Sequence, residues 1–220
     1  MDNLGNLTVG ELSIETGISA SLASKLRRMI YDFPDKSCGL RAIEAYTGVV
    51  FKVLGYDSLS PEAKERCNGE VRIISSLYGF LRPLDIIKPY RLDFGAKVAP
   101  GDTALNSFWR KDVTLELVNT LRRKGINEVL NLLPGDAAKC IDWKLVKKFC
   151  KVWKADFVEI VEGDKTKTPI ASKLKTMRGK LTRQIVSEGI SNVAGLRLVH
   201  SEEYFCTGTP VYPDHLQFLC

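Results

Sequence analysis

Ser75-Ser76-Leu77-Tyr78-Gly79-Phe80-Leu81-Arg82-Pro83-Leu84-Asp85 runs directly into Ile86-Ile87-Lys88-Pro89-Tyr90-Arg91-Leu92-Asp93-Phe94-Gly95. Pro83 and Pro89 fix the backbone, and Gly79 and Gly95 let it turn, so the stretch reads as a structured loop with at most short elements. Arg82, Lys88 and Arg91 alternate with Tyr78, Phe80 and Tyr90. A stiff backbone bearing cations and aromatics suits phosphate contact with base stacking. It equally suits an internal network in which Arg82 and Arg91 pair with Asp85 and Asp93, and the chemistry alone favours that network.

Helical patterns lie on both sides of the loop. Residues 7–33 read as two short helices around Thr16-Gly17-Ile18-Ser19, and residues 40–55 as another helix. A helix over 61–80 starts with Ser60 as cap and Pro61 at the first helical position. Residues 105–124 form a helix stopped by Gly125. Glu128-Val129-Leu130-Asn131-Leu132-Leu133 and Phe157-Val158-Glu159-Ile160-Val161 read as short buried strands, the second followed by a turn at Gly163-Asp164. Residues 170–188 form a long amphipathic helix, and the remainder is loop with an edge strand. No repeat, low-complexity tract or linker appears, so the chain reads as one domain over 1–220. Its class is α/β (α+β): a central short-stranded mixed sheet flanked by helices, with an N-terminal helical hairpin.

Composition narrows the class further. The chain has 220 residues, 45% hydrophobic and 26% charged, as expected of a globular protein. No apolar run approaches the roughly 20 residues that span a bilayer, and the first residues lack a signal-peptide pattern, so a cytoplasmic, membrane-free location is expected. The six cysteines are dispersed and only two histidines are present. No metal site and no cofactor are therefore expected, and the thiols read as free. The net charge of +6 is uneven: Lys139 to Arg183 holds 13 Lys/Arg against 5 Asp/Glu. Such a segment suits a polyanionic partner or a solvated helix surface equally.

In the hairpin, Gly17 makes the turn while Leu12, Ile18, Ala23 and Leu26 pack the helices together. As a helix-turn-helix it presents Ser19, Ser21 and Lys25 to a groove. As a helix-hairpin-helix it offers the Gly17-Ile18-Ser19 amides to a phosphate flanked by Lys25 or Arg28. A purely structural hairpin has the same pattern. In Ala171 to Glu188, Leu174, Met177, Leu181 and Ile185 make an apolar stripe. Lys175 and Arg178 border it, while Lys173, Lys180 and Arg183 fan around the outer face. Gly179 in mid-helix costs about 1 kcal/mol relative to Ala, which implies close approach by another backbone or a ligand.

Residues 75–95 closely resemble the hallmark of the YaaA peroxide-stress family, Ser-Gly-Leu-Tyr-Gly-x-Leu-Arg-Pro-Leu-Asp followed by Pro-Tyr-Arg-Leu-Glu-x-Gly. Ser76 replaces the family glycine and Asp93 the glutamate. The resemblance extends to Ala45-Tyr46-Thr47-Gly48-Val49-Val50-Phe51, Phe108-Trp109, Val129-Leu130-Asn131-Leu132 and Lys175-Thr176-Met177-Arg178-Gly179, with Arg183 and Tyr204 in register. Val49 stands where the family has aspartate, Leu133-Pro134-Gly135-Asp136-Ala137-Ala138 replaces its Ser-x-Glu-Tyr, and its opening strand has no counterpart. The chain thus reads as a shortened, divergent member or a fragment. The resemblance implies an α/β fold with a basic cleft and DNA binding through a helix-hairpin-helix-like element. It also implies a role in limiting free iron and DNA damage under hydrogen peroxide.

Two functions follow as expectations. In the first, DNA phosphates meet Arg82, Lys88, Arg91, Lys175, Arg178, Arg183, Lys25 and Arg28, with Tyr78, Asp85, Tyr90, Asp93 and Gly179 in support. In the second, the same groups act on a nucleotide or other anionic small molecule, with Tyr78, Asp85, Tyr90, Asp93 and Lys175 as acid–base candidates. The absence of a P-loop and of a recognisable nucleophile–base spacing argues against an enzyme.

Overall fold

Thr8 opens the first long helical element: its hydroxyl accepts from the Glu11 amide, and the Glu11 carboxylate accepts from the Thr8 amide, a complete capping box. The computed structural model describes residues 2–33, 39–161, 165–208 and 212–220; the turn expected at Gly163-Asp164 and Cys38 lie outside the described residues. The elements run α1 (Asp2–Gly5), α2 (Val9–Thr16), α3 (Ala20–Tyr31), β1 (Leu40–Arg41), α4 (Ala42–Ala45), α5 (Val49–Leu54) and α6 (Pro61–Glu70). Then come β2 (Ile73–Ser75), β3 (Gly79–Leu81), β4 (Ile86–Ile87), α7 (Leu105–Lys124), β5 (Glu128–Asn131), α8 (Gly135–Ala138) and α9 (Trp143–Val146). The last are β6 (Lys151–Val161), β7 (Lys165–Lys167), α10 (Ala171–Glu188), α11 (Val193–Arg197), β8 (Phe205–Cys206) and β9 (His215–Leu219). Contacts group them into two compact units, one of residues 1–46, 72–120 and 133–146, the other of 47–71, 121–132 and 147–220.

The first unit is built on the helical hairpin. Leu12, Ile18, Ala23 and Leu26 are all buried, in one core with Leu4, Leu92, Ala99 and Leu105. Two small antiparallel ladders accompany it. One pairs β1 with β4; the other pairs β2 with β3 in the register Ile73↔Leu81, Ile74↔Phe80 and Ser75↔Gly79. The expected helix over 61–80 therefore ends at Glu70. Ser60 and Pro61 do start it, with the Ser60 hydroxyl accepting from the Ala63 amide. β-Branched Val71, Ile73 and Ile74 favour extended backbone, and the close return through Gly79 gives them a ladder partner. The helix expected over 40–55 is likewise split, because Gly48 is extended and starts α5 anew.

The second unit holds the mixed sheet, in the order β5-β6-β9-β8, with β7 added to the end of β6. β5, β6 and β9 are parallel; β7 and β8 are antiparallel additions. α10 covers the sheet with Met177, Leu181, Leu174 and Ile185, packed into a core with Trp153, Phe157, Leu216 and Phe218. β6 begins at Lys151 rather than Phe157: exposed Lys151 and Lys154 bracket the buried pair Val152 and Trp153, so no period-two alternation marks its start. β5 stops at Asn131, two residues short of expectation. The C-terminal strand β9 is interior, between β6 and β8, instead of lying at an edge.

Among the described residues no helix is long and apolar enough to cross a membrane, and no group of three or more His, Cys, Asp and Glu is placed to hold a metal ion. Cys67, Cys140, Cys150, Cys206 and Cys220 are free thiols; burial pushes Cys67 and Cys140 up to about 11.

Candidate functional site

The hairpin turn sits in the first unit. Gly17 closes α2 at φ 66°, a left-handed conformation that glycine adopts without strain. Ile18 is buried as the anchor, its carbonyl accepting from the Ser13 hydroxyl at 2.5 Å. Ser19 begins α3 in extended conformation but makes no side-chain cap, so the first amides of α3 have no intrachain side-chain acceptor there. Lys25 and Arg28 are exposed and unpartnered among the described residues, while Arg27 is turned inward to the Leu7 carbonyl.

Within residues 75–95 a hydroxyl hub replaces part of the expected ionic network. The Tyr90 hydroxyl lies 2.6 Å from Ser75 Oγ, 3.3 Å from Ser76 Oγ and 3.0 Å from the Tyr46 hydroxyl. Ser75 Oγ also accepts from the Tyr78 amide at 2.9 Å, and Ser76 Oγ donates to the Leu92 carbonyl at 2.7 Å. The rings of Tyr46 and Tyr78 meet Tyr90 edge-on at 6.2 and 5.7 Å. Burial and the neighbouring Tyr90 push the Tyr46 hydroxyl well above the usual phenol range; burial raises Tyr78 too. Both phenols therefore stay protonated at neutral pH, serving as donors rather than bases.

Of the ionic pairs, only one forms. Arg82 grips Asp85 through Nε at 3.0 Å and Nη2 at 2.9 Å, while the Asp85 carboxylate also accepts the Arg82 amide at 2.8 Å. Arg91 and Asp93 are both exposed and do not pair, and the backbone turns after them, the Ala96 amide donating to the Asp93 carbonyl. Lys88 Nζ donates to the Phe33 carbonyl at 2.6 Å and the Asp32 carbonyl at 3.3 Å, closing the end of α3.

In the second unit α10 divides its cations sharply. Lys173 donates to Glu159 at 2.7 Å, which raises its pKa and lowers that of Glu159. Lys180 pairs with Glu203, and Arg183 Nη1 donates to the Leu54 and Gly55 carbonyls and the Ser58 hydroxyl. Lys175 is exposed and Arg178 half-buried, and neither side chain has a partner among the described residues. Burial alone holds Arg178 below its ordinary value. Gly179 explains itself: a Cβ there would lie 2.6 Å from the Val50 carbonyl oxygen and 2.8 Å from Val53 Cβ, so α5 crosses α10 at backbone contact.

With this geometry in hand, the comparisons are direct. A family profile described as peroxide stress protein YaaA matches residues 1–208. The chain belongs to the YaaA family. A UPF0246 protein of Parabacteroides distasonis is 34% identical over 86% of this chain and 74% of its own length. Two others, from Phocaeicola vulgatus and Francisella philomiragia, are 29% and 27% identical over 89% and 93% of this chain, and 76% and 80% of their own lengths.

The YaaA hallmark segment is held by side-chain contacts of its own and from the start of α7. Trp109 braces its first half: the indole NH donates to the Ser76 carbonyl at 2.8 Å, and the ring lies 2.8 Å from where a Gly79 Cβ would stand. Gly79 is fixed by that ring and by φ 74°. Ser76, at the family's glycine position, is buried and hydrogen-bonded inward; Asp93, at its glutamate position, is exposed. Val49 is the first residue of α5 and 40% exposed. Sequence reading missed Ser75, Tyr46 and Trp109 as partners of this segment. Only the family resemblance flagged Tyr46 and Trp109, and no local spacing links Tyr46 to Tyr90, 44 residues on.

Proposed function

We propose that this YaaA-family protein binds DNA as part of the peroxide stress response, holding the phosphate backbone at the α2–α3 hairpin. The observation that carries the reading is the uncapped start of α3 beside unpartnered Lys25 and Arg28, with Gly17 and Ile18 setting the turn. Amides at a helix start, with the positive end of the helix dipole and a cation one turn on, recognise a phosphate without reading sequence. Of the other cations expected at DNA, Arg91 in the first unit and Lys175 and Arg178 in the second have no side-chain partner among the described residues and keep their charge for phosphates. Arg82, Lys88 and Arg183 hold internal partners and contribute field rather than contacts.

Chemistry on an anionic small molecule draws less support, since Tyr46 and Tyr78 stay protonated and Tyr90 is enclosed by hydroxyls. Fluorescence anisotropy with a labelled duplex across salt concentrations tests the binding. Affinity should fall steeply with salt, and Lys25→Ala with Arg28→Ala should flatten the log–log slope by about 1 per lost phosphate contact. No binding to duplex, nicked or bubble DNA at low salt would sink the proposal.

A further inference from the structure

The two helices of the hairpin end differently. Gly17 closes α2 in a left-handed turn, but Asp32, which follows α3, is still right-handed at φ −80° and ψ −7°. A helix that ends without such a turn leaves its last carbonyls short of donors. Lys88 supplies one from 55 and 56 residues on. Its ammonium donates to the Phe33 carbonyl at 2.6 Å and to the Asp32 carbonyl at 3.3 Å. A positive charge there also meets the negative end of the α3 dipole. Lys88 is half-buried and has no carboxylate partner among the described residues, so its charge is committed to these carbonyls.

The lysine is itself held. Its amide donates to the Tyr78 hydroxyl at 3.0 Å, and that hydroxyl donates back to the Lys88 carbonyl at 3.4 Å. Burial raises the Tyr78 pKa, so the hydroxyl keeps the proton it donates. The Phe33 ring stacks on Tyr78 at 6.5 Å, and Lys88 Nζ lies 5.8 Å from the centre of the Phe33 ring. On the helix side, the Asp32 amide donates to the Arg28 carbonyl at 3.0 Å and the Phe33 amide to the Ile30 carbonyl at 3.2 Å. Lys88 therefore grips the residues that close the turn carrying Arg28. Arg28 is exposed and has no side-chain partner among the described residues.

We propose that Lys88 is a positioning residue for the hairpin: from the loop of residues 75–95 it fixes the last turn of α3, and with it the direction in which Arg28 meets a phosphate. This rests on the DNA-binding reading and gives the loop a part in it through Arg28 rather than through a contact of its own.

A double-mutant cycle between Lys88 and Arg28 tests it, read on the full chain by anisotropy of a labelled duplex across salt concentrations. Lys88→Met should weaken binding about fivefold and flatten the log–log salt slope by about 1, as Arg28→Ala does, because both remove the same phosphate contact. In an Arg28→Ala background, Lys88→Met should change affinity by less than about twofold. Lys88→Gln should follow the same pattern at smaller amplitude, and Lys88→Arg, which keeps a charged donor for the carbonyls, should restore binding. Losses that add, with the slope falling by about 2 in the double variant, make Lys88 a phosphate contact and overturn the proposal. Unchanged duplex affinity in Lys88→Met, with a lowered urea midpoint, also overturns it and leaves Lys88 a cap of the fold alone. Both results keep the DNA reading intact. A parent chain that binds no duplex overturns that reading and the proposal together.

Discussion

The loop of residues 75–95 and the helix α10 are the two segments whose cations mark the chain, and they use them alike. In the loop, Arg82 closes onto Asp85 and Lys88 onto the carbonyls ending α3, leaving Arg91 exposed. In the helix, Lys173, Lys180 and Arg183 are tied to Glu159, Glu203 and the Leu54–Ser58 turn, leaving Lys175 and Arg178. What differs is the partner. In the loop Arg82 answers to a neighbour three residues on, and Lys88 to carbonyls 55 and 56 residues back. The cations of α10 reach across 14 to 129 residues of chain. A run of basic residues therefore overstates the charge free for a ligand, and overstates it most where the cations staple distant segments.

The two glycines at the centre of these segments separate the effects most strongly. Gly79→Ala meets the Trp109 ring and an unfavourable φ of 74° together, and should cost about 3 kcal/mol of unfolding free energy in urea titration. Gly179→Ala meets the Val50 carbonyl but regains helix propensity, so about 1–2 kcal/mol is expected. Equal costs would mean that α5 is held to α10 as rigidly as Trp109 is held to Ser76. Next, Arg183→Met should cost about 2 kcal/mol, through carbonyls left without their charged donor. Lys175→Ala should stay within about 0.5 kcal/mol. A stable Arg183→Met protein with weakened DNA affinity would move Arg183 from staple to contact.

The smallest effect is a pH dependence. The hydrogen bond from Lys173 lowers the Glu159 pKa, so its stabilisation is complete above the ordinary glutamate value of roughly 4.3 and fades as pH falls through the lowered folded value. Glu159→Gln should differ from the parent chain at pH 7 by a small shift in urea midpoint that shrinks as the pH falls below the ordinary glutamate range. A shift that does not change with pH would assign the loss to packing.

Much of the frame was legible because local signals sufficed. Ser60-Pro61 starts α6, Lys124-Gly125 ends α7 with Gly125 at φ 63°, and the apolar stripe of α10 faces the sheet. What was not legible depended on distant pairing. The residues Val71 to Leu81 carry apolar spacing compatible with a helix, and only the return through Gly79 makes them a ladder. The start of β6 hides because exposed Lys151 and Lys154 bracket two successive buried residues, a pattern with no strand period. At the site, Arg82–Asp85 is three residues apart and was readable. The Tyr46–Tyr90–Ser75 hub spans half the first unit and was not, and nothing in the composition distinguished Arg27 from Lys25 and Arg28.

The position of β9 also sets an order of assembly. It is the last of the sheet strands along the chain, yet it fills the slot between β6 and β8. Until His215–Leu219 has left the ribosome, β8 lacks its ladder with β9 and keeps only the bridge from Phe205 to His200, and one flank of β6 from Lys154 to Val158 is bare. Phe218, buried with Phe157 and Tyr204, cannot complete its core earlier. The sheet is thus completed by a pairing of long sequence separation, a class of contact that forms slowly and leaves a strand flank open until it does.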